Sequence, residues 1–400
     1  MTQPEKTNTL RGQSMVMNDR RACLKTLAAL VGALVVPYGW SQDKSTKEVV
    51  LQAEQDELDS IAAYVQQFMG QYRVPSLSIA IARKGQFVYR NAFGLVDKEN
   101  HISATAENLY RIASVTKPIT STAVFTLIEQ KKLGLQDKVF GSEGVFQNDY
   151  GTNLPDSVRN ITLYHLLTHT SGGWGNSKDD PMFLKSSKSM NHRELITWAI
   201  ANQRQQYAPG THYDYSNFGY CILGRVIEKL TGMTYSDYVQ QNVLSKFGIS
   251  DMRIAGDSRS DRVPLEAVYY DENGNDPYGM AVRRMDSHGG WLATPSDLVE
   301  FGMCVTGLKA SARILNDETQ QTMLTPSTVN PGYACGWAAN AQPNWWHDGS
   351  LPGTSSILVR THSGMCWSAV ANARNNGISP ALDQLMWRIV RAVPAWQAGT

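Results

Sequence analysis

The stretch Arg111-Ile112-Ala113-Ser114-Val115-Thr116-Lys117-Pro118-Ile119-Thr120, running into the apolar positions Ala123, Val124, Leu127 and Ile128, constrains this chain more than any other. Its spacing predicts a helix reaching about Lys132 and ended by Gly134, with a serine at its start. Ser114 and Lys117 are three apart and so share one helix face, their Cβ atoms about 5–6 Å from each other. A serine hydroxyl is a poor nucleophile at neutral pH unless an adjacent base takes its proton. The helix N-terminus adds a field that favours the alkoxide. No acidic residue lies within three positions of Lys117, so no local carboxylate holds it as an inert ion pair, and a desolvated amine gives up its proton readily. The same spacing recurs at Ser41 and Lys44, in a polar segment with no helical pattern behind it. The helix separates the two.

Four hundred residues with 42% hydrophobic content suffice for one large or two intimately packed domains with a real core. A net charge of +1, from 37 basic and 36 acidic residues without long blocks, argues against nucleic acid or an anionic membrane as partner. Residues 1–41 read as a twin-arginine export signal: Arg20-Arg21 precede an apolar run from Leu27 to Val36 broken by Pro37, too short to span a bilayer. The expected location is periplasmic or secreted, with no stable membrane insertion once the signal is removed. Cys23 falls in that segment. Cys221, Cys304, Cys335 and Cys366 are widely spaced, and the eight histidines show no ligand pattern, so neither metal nor cofactor is expected. Small buried thiols are the reading, with a Cys335–Cys366 disulfide left open.

Leu58, Ile61, Ala62, Val65, Phe68 and Met69 follow helical spacing, and Val74 to Ala82 with Phe87 to Arg90 read as a β-hairpin. The fold class expected is α+β, an antiparallel β-sheet flanked by helices. Residues 50–135 and 311–400 would form the sheet subdomain. Residues 136–310, helical where periodic and otherwise long loops, would form an inserted, mostly helical subdomain. Strands return at Tyr333 to Trp337, Trp345-Trp346, Ile357 to Val359 and Cys366 to Ala371, before a last helix from about Ser379 to Ala392.

Two further patterns carry chemistry. Tyr215 and Asn217, two apart after Pro209-Gly210, can set a phenol and an amide side by side. The phenol exchanges protons with a serine or a leaving group, and the amide holds a substrate carbonyl. Tyr213 is a rival for the phenol. His347-Asp348-Gly349 is one of three His-x-Gly sequences; His362 falls in a tight turn, and His288 before a helical stretch from Thr294 to Phe301. At His347 a strand follows, and Gly349 admits a substrate close to the backbone. The N–H groups of Ser350 and Ser114 would then form an oxyanion hole.

Ser-x-x-Lys, Tyr-x-Asn about a hundred residues on and a late His-x-Gly, in that order, resemble the three motifs of serine β-lactamases and penicillin-binding proteins, in their class C β-lactamase-related branch. Leu166-Leu167-Thr168-His169-Thr170-Ser171-Gly172, Gly289-Gly290-Trp291 and Gly349-Ser350-Leu351-Pro352-Gly353 add to the likeness, which covers about residues 55–393. The resemblance implies an acyl-enzyme on Ser114, with Lys117 and Tyr215 sharing general-base and general-acid roles, and Asn217, His347, Gly349 and Ser350 around the substrate. Class C β-lactamases carry Lys-Thr-Gly where this chain has His347-Asp348-Gly349, so a fixed positive charge for a carboxylate is missing or pH-dependent. An exported hydrolase of a small-molecule ester, amide or peptide is expected, of esterase, D-amino-acid peptidase or amidase type. The alternatives are a β-lactamase or D-alanyl-D-alanine carboxypeptidase, and a penicillin-binding sensor that never turns over. Trp174, Trp291, Trp345 and Trp346 are candidates for lining the acyl pocket, and the oligomeric state stays open.

Overall fold

The computed structural model describes residues 49–50, 52–309 and 312–396; the proposed export signal, Cys23 and the Ser41/Lys44 pair lie outside the described residues. In chain order, β1 (Val49–Val50) and α1 (Gln55–Gln71) lead to β2 (Ser76–Arg83), β3 (Gln86–Asp97), β4 (Ile102–Ser103) and β5 (Tyr110–Arg111). Then come α2 (Thr116–Glu129), α3 (Asp156–Arg159), α4 (Leu163–Leu167), α5 (His192–Asn202), α6 (Asn217–Thr231) and α7 (Tyr235–Val239). Three short strands follow, β6 (Arg253–Ile254), β7 (Tyr270–Asp271) and β8 (Trp291–Ala293), with α8 (Pro295–Val305) and α9 (Asp317–Leu324). The chain closes with β9 (Ala338–Ala339), β10 (Trp345–Leu351), β11 (Thr354–Arg360), β12 (Met365–Ala371), β13 (Ala373–Arg374) and α10 (Ile378–Ala392).

The main sheet runs β1-β3-β2-β12-β11-β10-β9, with β4 added to β3, and its pairs are antiparallel. Its two halves come from the two ends of the chain and meet where β2 pairs β12, Leu77 opposite Ala371. The central strands are buried on both faces, and strand alternation sorts their side chains by size. Leu77, Ile79, Ile81, Trp367 and Ile357 face one way, into a cluster with Ile61 and Val65 of α1 and Leu382, Met386 and Ile389 of α10. Ala80, Ala82, Ser368 and Cys366 face the other way, where small side chains let α8 approach. At Gly302 of α8 an added Cβ would stand 2.9 Å from Cys366 Sγ and 3.1 Å from Leu358 Cδ1.

The α+β class with an antiparallel sheet is what the structure shows, but three local expectations differ. Helix α2 ends at Glu129 because Lys131 takes φ 57°, a left-handed turn that closes the helix ahead of Gly134. Tyr333 to Trp337 is not a strand; Tyr333 makes only an isolated bridge to Ala338. Helix α8, inside the stretch read as the helical insertion, packs on β2, β11 and β12, whereas α2, from the sheet stretch, packs among α6, α7 and α9. Burial of α2 from Thr116 through Leu127 explains its place: a helix apolar or small all round belongs at the centre. Cys221, Cys304, Cys335 and Cys366 are free thiols, each buried. No helix among the described residues is long and apolar enough to cross a membrane.

Candidate active site

Between Arg111 and Thr120 every residue is buried except Ser114, which sits in a single 3-10 turn, Ala113–Val115, ahead of α2. The chain reaches that turn through Ala113 at φ +48°, a left-handed conformation that a residue with a Cβ adopts only under strain. Two strands hold it there. Thr354 Oγ1 of β11 donates to the Arg111 carbonyl and Ser356 Oγ to the Ile112 carbonyl, each at 2.7 Å, while the Ile112 N–H donates to Trp291 of β8 at 3.0 Å. Strand β10 lies so close that a Cβ on Gly349 would fall 2.3 Å from the Ile112 carbonyl oxygen. Glycine is required there for backbone approach.

Lys117 is fully buried. Its Nζ donates to Ser114 Oγ at 3.0 Å, to Asn217 Oδ1 at 2.7 Å and to the His288 carbonyl at 3.0 Å. All three acceptors are neutral. Burial lowers its pKa to about 7, against the opposing charges of Asp180 and Asp348. The Tyr215 phenol shares a hydrogen bond with Ser114, and burial raises its pKa well above the ordinary value. Its ring lies 4.7 Å from Lys117 Nζ. Tyr213 stands one step back, its ring against His169 and Tyr333, so Tyr215 is the phenol at the serine.

The Asn217 amide is engaged within the protein. Its oxygen accepts from Lys117, and its nitrogen donates to Asn176 Oδ1 at 3.0 Å and Asp180 Oδ2 at 3.1 Å. The structure therefore gives it a hold on Lys117 rather than an open amide for a substrate carbonyl. His347 is likewise occupied. The Asp348 carbonyl, 2.7 Å from Nδ1, can only accept, so Nδ1 carries the proton and Nε2 accepts from the Tyr333 phenol at 3.0 Å. Burial lowers the His347 pKa to about 4, which makes the ring neutral near pH 7 rather than a titrating cation.

Ser350 is placed by hairpin register. Leu351 faces Thr354 across the two-residue turn Pro352-Gly353, and such a closing pair exchanges both hydrogen bonds. Leu351, Gly349 and His347 therefore bond to β11, while Ser350 turns its N–H to the outer edge. Strand β9 pairs that edge at Trp345 and Trp346, beyond the part that passes Ser114. The four tryptophans are taken up in packing: Trp174 and Trp291 are core, Trp345 donates to the Leu324 carbonyl at 2.8 Å, and Trp346 packs toward α1 and α10. Phe183, 49% exposed with its ring 6.2 Å from that of His288, is an apolar side chain on the solvent side of the site.

Sequence reasoning missed Asp180, Asn176, Tyr333 and the His288 carbonyl. Asp180 comes from a loop without periodicity, and a carbonyl has no residue type to read. No group of three or more His, Cys, Asp or Glu among the described residues is placed to hold a metal ion.

The beta-lactamase family model matches residues 61–390. The chain belongs to that family. Among similar proteins, penicillin-binding protein 4 of Amycolatopsis lactamdurans is 25% identical over 308 residues, 72% of this chain and 78% of that protein. Penicillin-binding protein 4* of Bacillus subtilis is 24% identical over 310 residues, 71% of this chain but 64% of the relative, so part of the relative's length has no counterpart in the match. The D-amino acid amidase of Ochrobactrum anthropi SV3 complexed with D-phenylalanine superposes with TM-score 0.70 at 22% identity, over 85% of this chain and 99% of that one. D-alanine carboxypeptidase AmpC from Burkholderia cenocepacia gives 0.65 at 20% identity, over 84% and 99%. This beta-lactamase-family chain is a serine hydrolase of the β-lactamase and penicillin-binding-protein type.

Proposed function

We propose that Ser114 is the nucleophile of an exported hydrolase acting on an ester or amide, of esterase, D-amino-acid peptidase or amidase type. The observation that carries the reading is the 3.0 Å contact of Ser114 Oγ with a fully buried amine that has only neutral acceptors. Neutral Lys117 takes the Ser114 proton as Oγ attacks the substrate carbonyl. The N–H groups of Ser114 and Ser350 receive the oxyanion, a device worth roughly a hundredfold to a thousandfold per donor. Tyr215, which stays protonated near neutral pH, gives its proton to the departing alcohol or amine and regains one from Lys117. Water then repeats the cycle on the acyl-enzyme. The carboxylate-binding cation of a β-lactamase has no equivalent in His347, whose ring is neutral and bonded within the protein. That weighs against the β-lactamase reading. Export rests on Arg20-Arg21 and the apolar run that follows.

The test is mass spectrometry of the protein treated with a fluorophosphonate or a penicillin, beside Ser114→Ala, with turnover of a short-chain p-nitrophenyl ester and the N-terminal sequence of material recovered outside the cytoplasm. Expected are a fluorophosphonate adduct on Ser114, steady ester turnover and a mature N-terminus beyond residue 37. Penicillin turnover would move the substrate to β-lactams, and a stable penicillin adduct without turnover would make the protein a sensor. No adduct on Ser114 in folded protein ends the assignment.

A further inference from the structure

We propose that Asp180 is a positioning residue of the serine centre: its carboxylate locks the Asn217 amide with the oxygen toward Lys117 and thereby aims the amine at Ser114. The inference rests on the acyl-enzyme reading for its consequence in rate, but its geometry stands by itself. Asp180 is buried, 6% exposed. Its Oδ2 accepts from both the Asn217 backbone N–H and the Asn217 side-chain nitrogen, each at 3.1 Å, and its Oδ1 accepts from the Met182 N–H at 2.9 Å. An amide's two ends differ only in what they bond, so its orientation is fixed by its partners. An ionised carboxylate accepts and never donates; with the amide nitrogen held on Asp180, the oxygen must face Lys117 Nζ, 2.7 Å away. Reversed, the amide would set an NH2 against an ammonium.

The groups facing Lys117 are Asp180 from the loop, Asp348 from β10, His169, His288 and His347, and the phenols Tyr215 and Tyr220. Those facing Asp180 are Lys117, Tyr215 and Cys221. Asp180 therefore also supplies a negative charge that resists loss of the Lys117 proton, alongside Asp348.

The experiment compares the full chain with Asp180→Asn, following Lys117 by carbon NMR of lysine labelled at Cε across pH 5–11, together with the pH dependence of fluorophosphonate labelling. In Asp180→Asn the Lys117 titration moves to lower pH and labelling at its pH optimum falls roughly a hundredfold, the scale of a misaligned catalytic group. Asp180→Glu, which keeps the charge, restores the titration, and it carries the comparison if the asparagine variant does not fold. An unchanged Lys117 titration with unchanged labelling overturns the proposal. A wild type that shows the Lys117 shift against the variant yet never labels at Ser114 keeps Asp180 in this place and removes the acyl-enzyme reading instead.

Discussion

Two buried cations sit on facing helices, Lys117 on α2 and Arg225 on α6, and the protein treats them in opposite ways. Arg225 is given carboxylates directly: Asp286 Oδ2 at 2.6 Å and Glu228 Oε2 at 2.7 Å. Burial works against its charge, yet Asp286, Cys221 and Glu228 together raise its pKa further. Lys117 is given the Ser114 hydroxyl, an amide oxygen and a carbonyl, with Asp180 held off behind Asn217. Its pKa falls to about 7. A buried cation becomes a strut or a base according to whether a carboxylate touches it or stands one side chain away.

The comparison breaks first, and most widely, at Lys117. Lys117→Met keeps the length of the side chain and removes the proposed base, and kcat/KM on a p-nitrophenyl ester is expected to fall on the order of 10²- to 10⁴-fold, measured beside a circular-dichroism melt. A loss under threefold would mean that Lys117 is a strut as well. Arg225→Met is expected to strike the other property: Asp286, its side chain 13% exposed, loses its main partner, at about 2–3 kcal/mol of unfolding free energy, below the cost for a fully buried charge. Urea titration reads this, and Asp286→Asn combined with Arg225→Met recovers part of it. The smallest effect is in pH. As Lys117 has a folded pKa of about 7 against an ordinary 10.5, the unfolded chain binds the extra proton between those values, so Lys117 makes stability rise with pH across that window. Lys117→Met removes that slope, and ester turnover by the native protein climbs with pH through about 7. A slope that survives in Lys117→Met assigns it to other groups.

Much of the site was legible because its central contact is local. Ser114 and Lys117 meet through helix spacing alone, and Tyr215 arrives as part of a pattern whose order along the chain is informative. The setting of Asn217 and His347 was not legible, since both are engaged by residues far away in sequence: Asp180 and Asn176 for one, Tyr333 for the other. Residue type announced a polar group at each position. Whether that group is free for a ligand depends on tertiary neighbours. The fold divides in the same manner. Helix α1, the β2–β3 hairpin and α10 follow from periodicity, while the side of the sheet to which α8 belongs is set by small residues such as Ala80 and Gly302, whose significance appears only once the strands are paired.

The pairing of β2 with β12 also orders events in time. Strands β10, β11 and β12 leave a ribosome only after α2 and everything through α9, and they supply Gly349, the Ser350 N–H and the hydroxyls of Thr354 and Ser356 that hold the turn around Ser114. At about 5–20 residues per second, the serine waits tens of seconds for them. During translation, the nascent chain carries its proposed nucleophile as an ordinary alcohol. Closure of the sheet, a contact between distant parts of the sequence and therefore slow to form, is also the moment at which Ser114 acquires its setting.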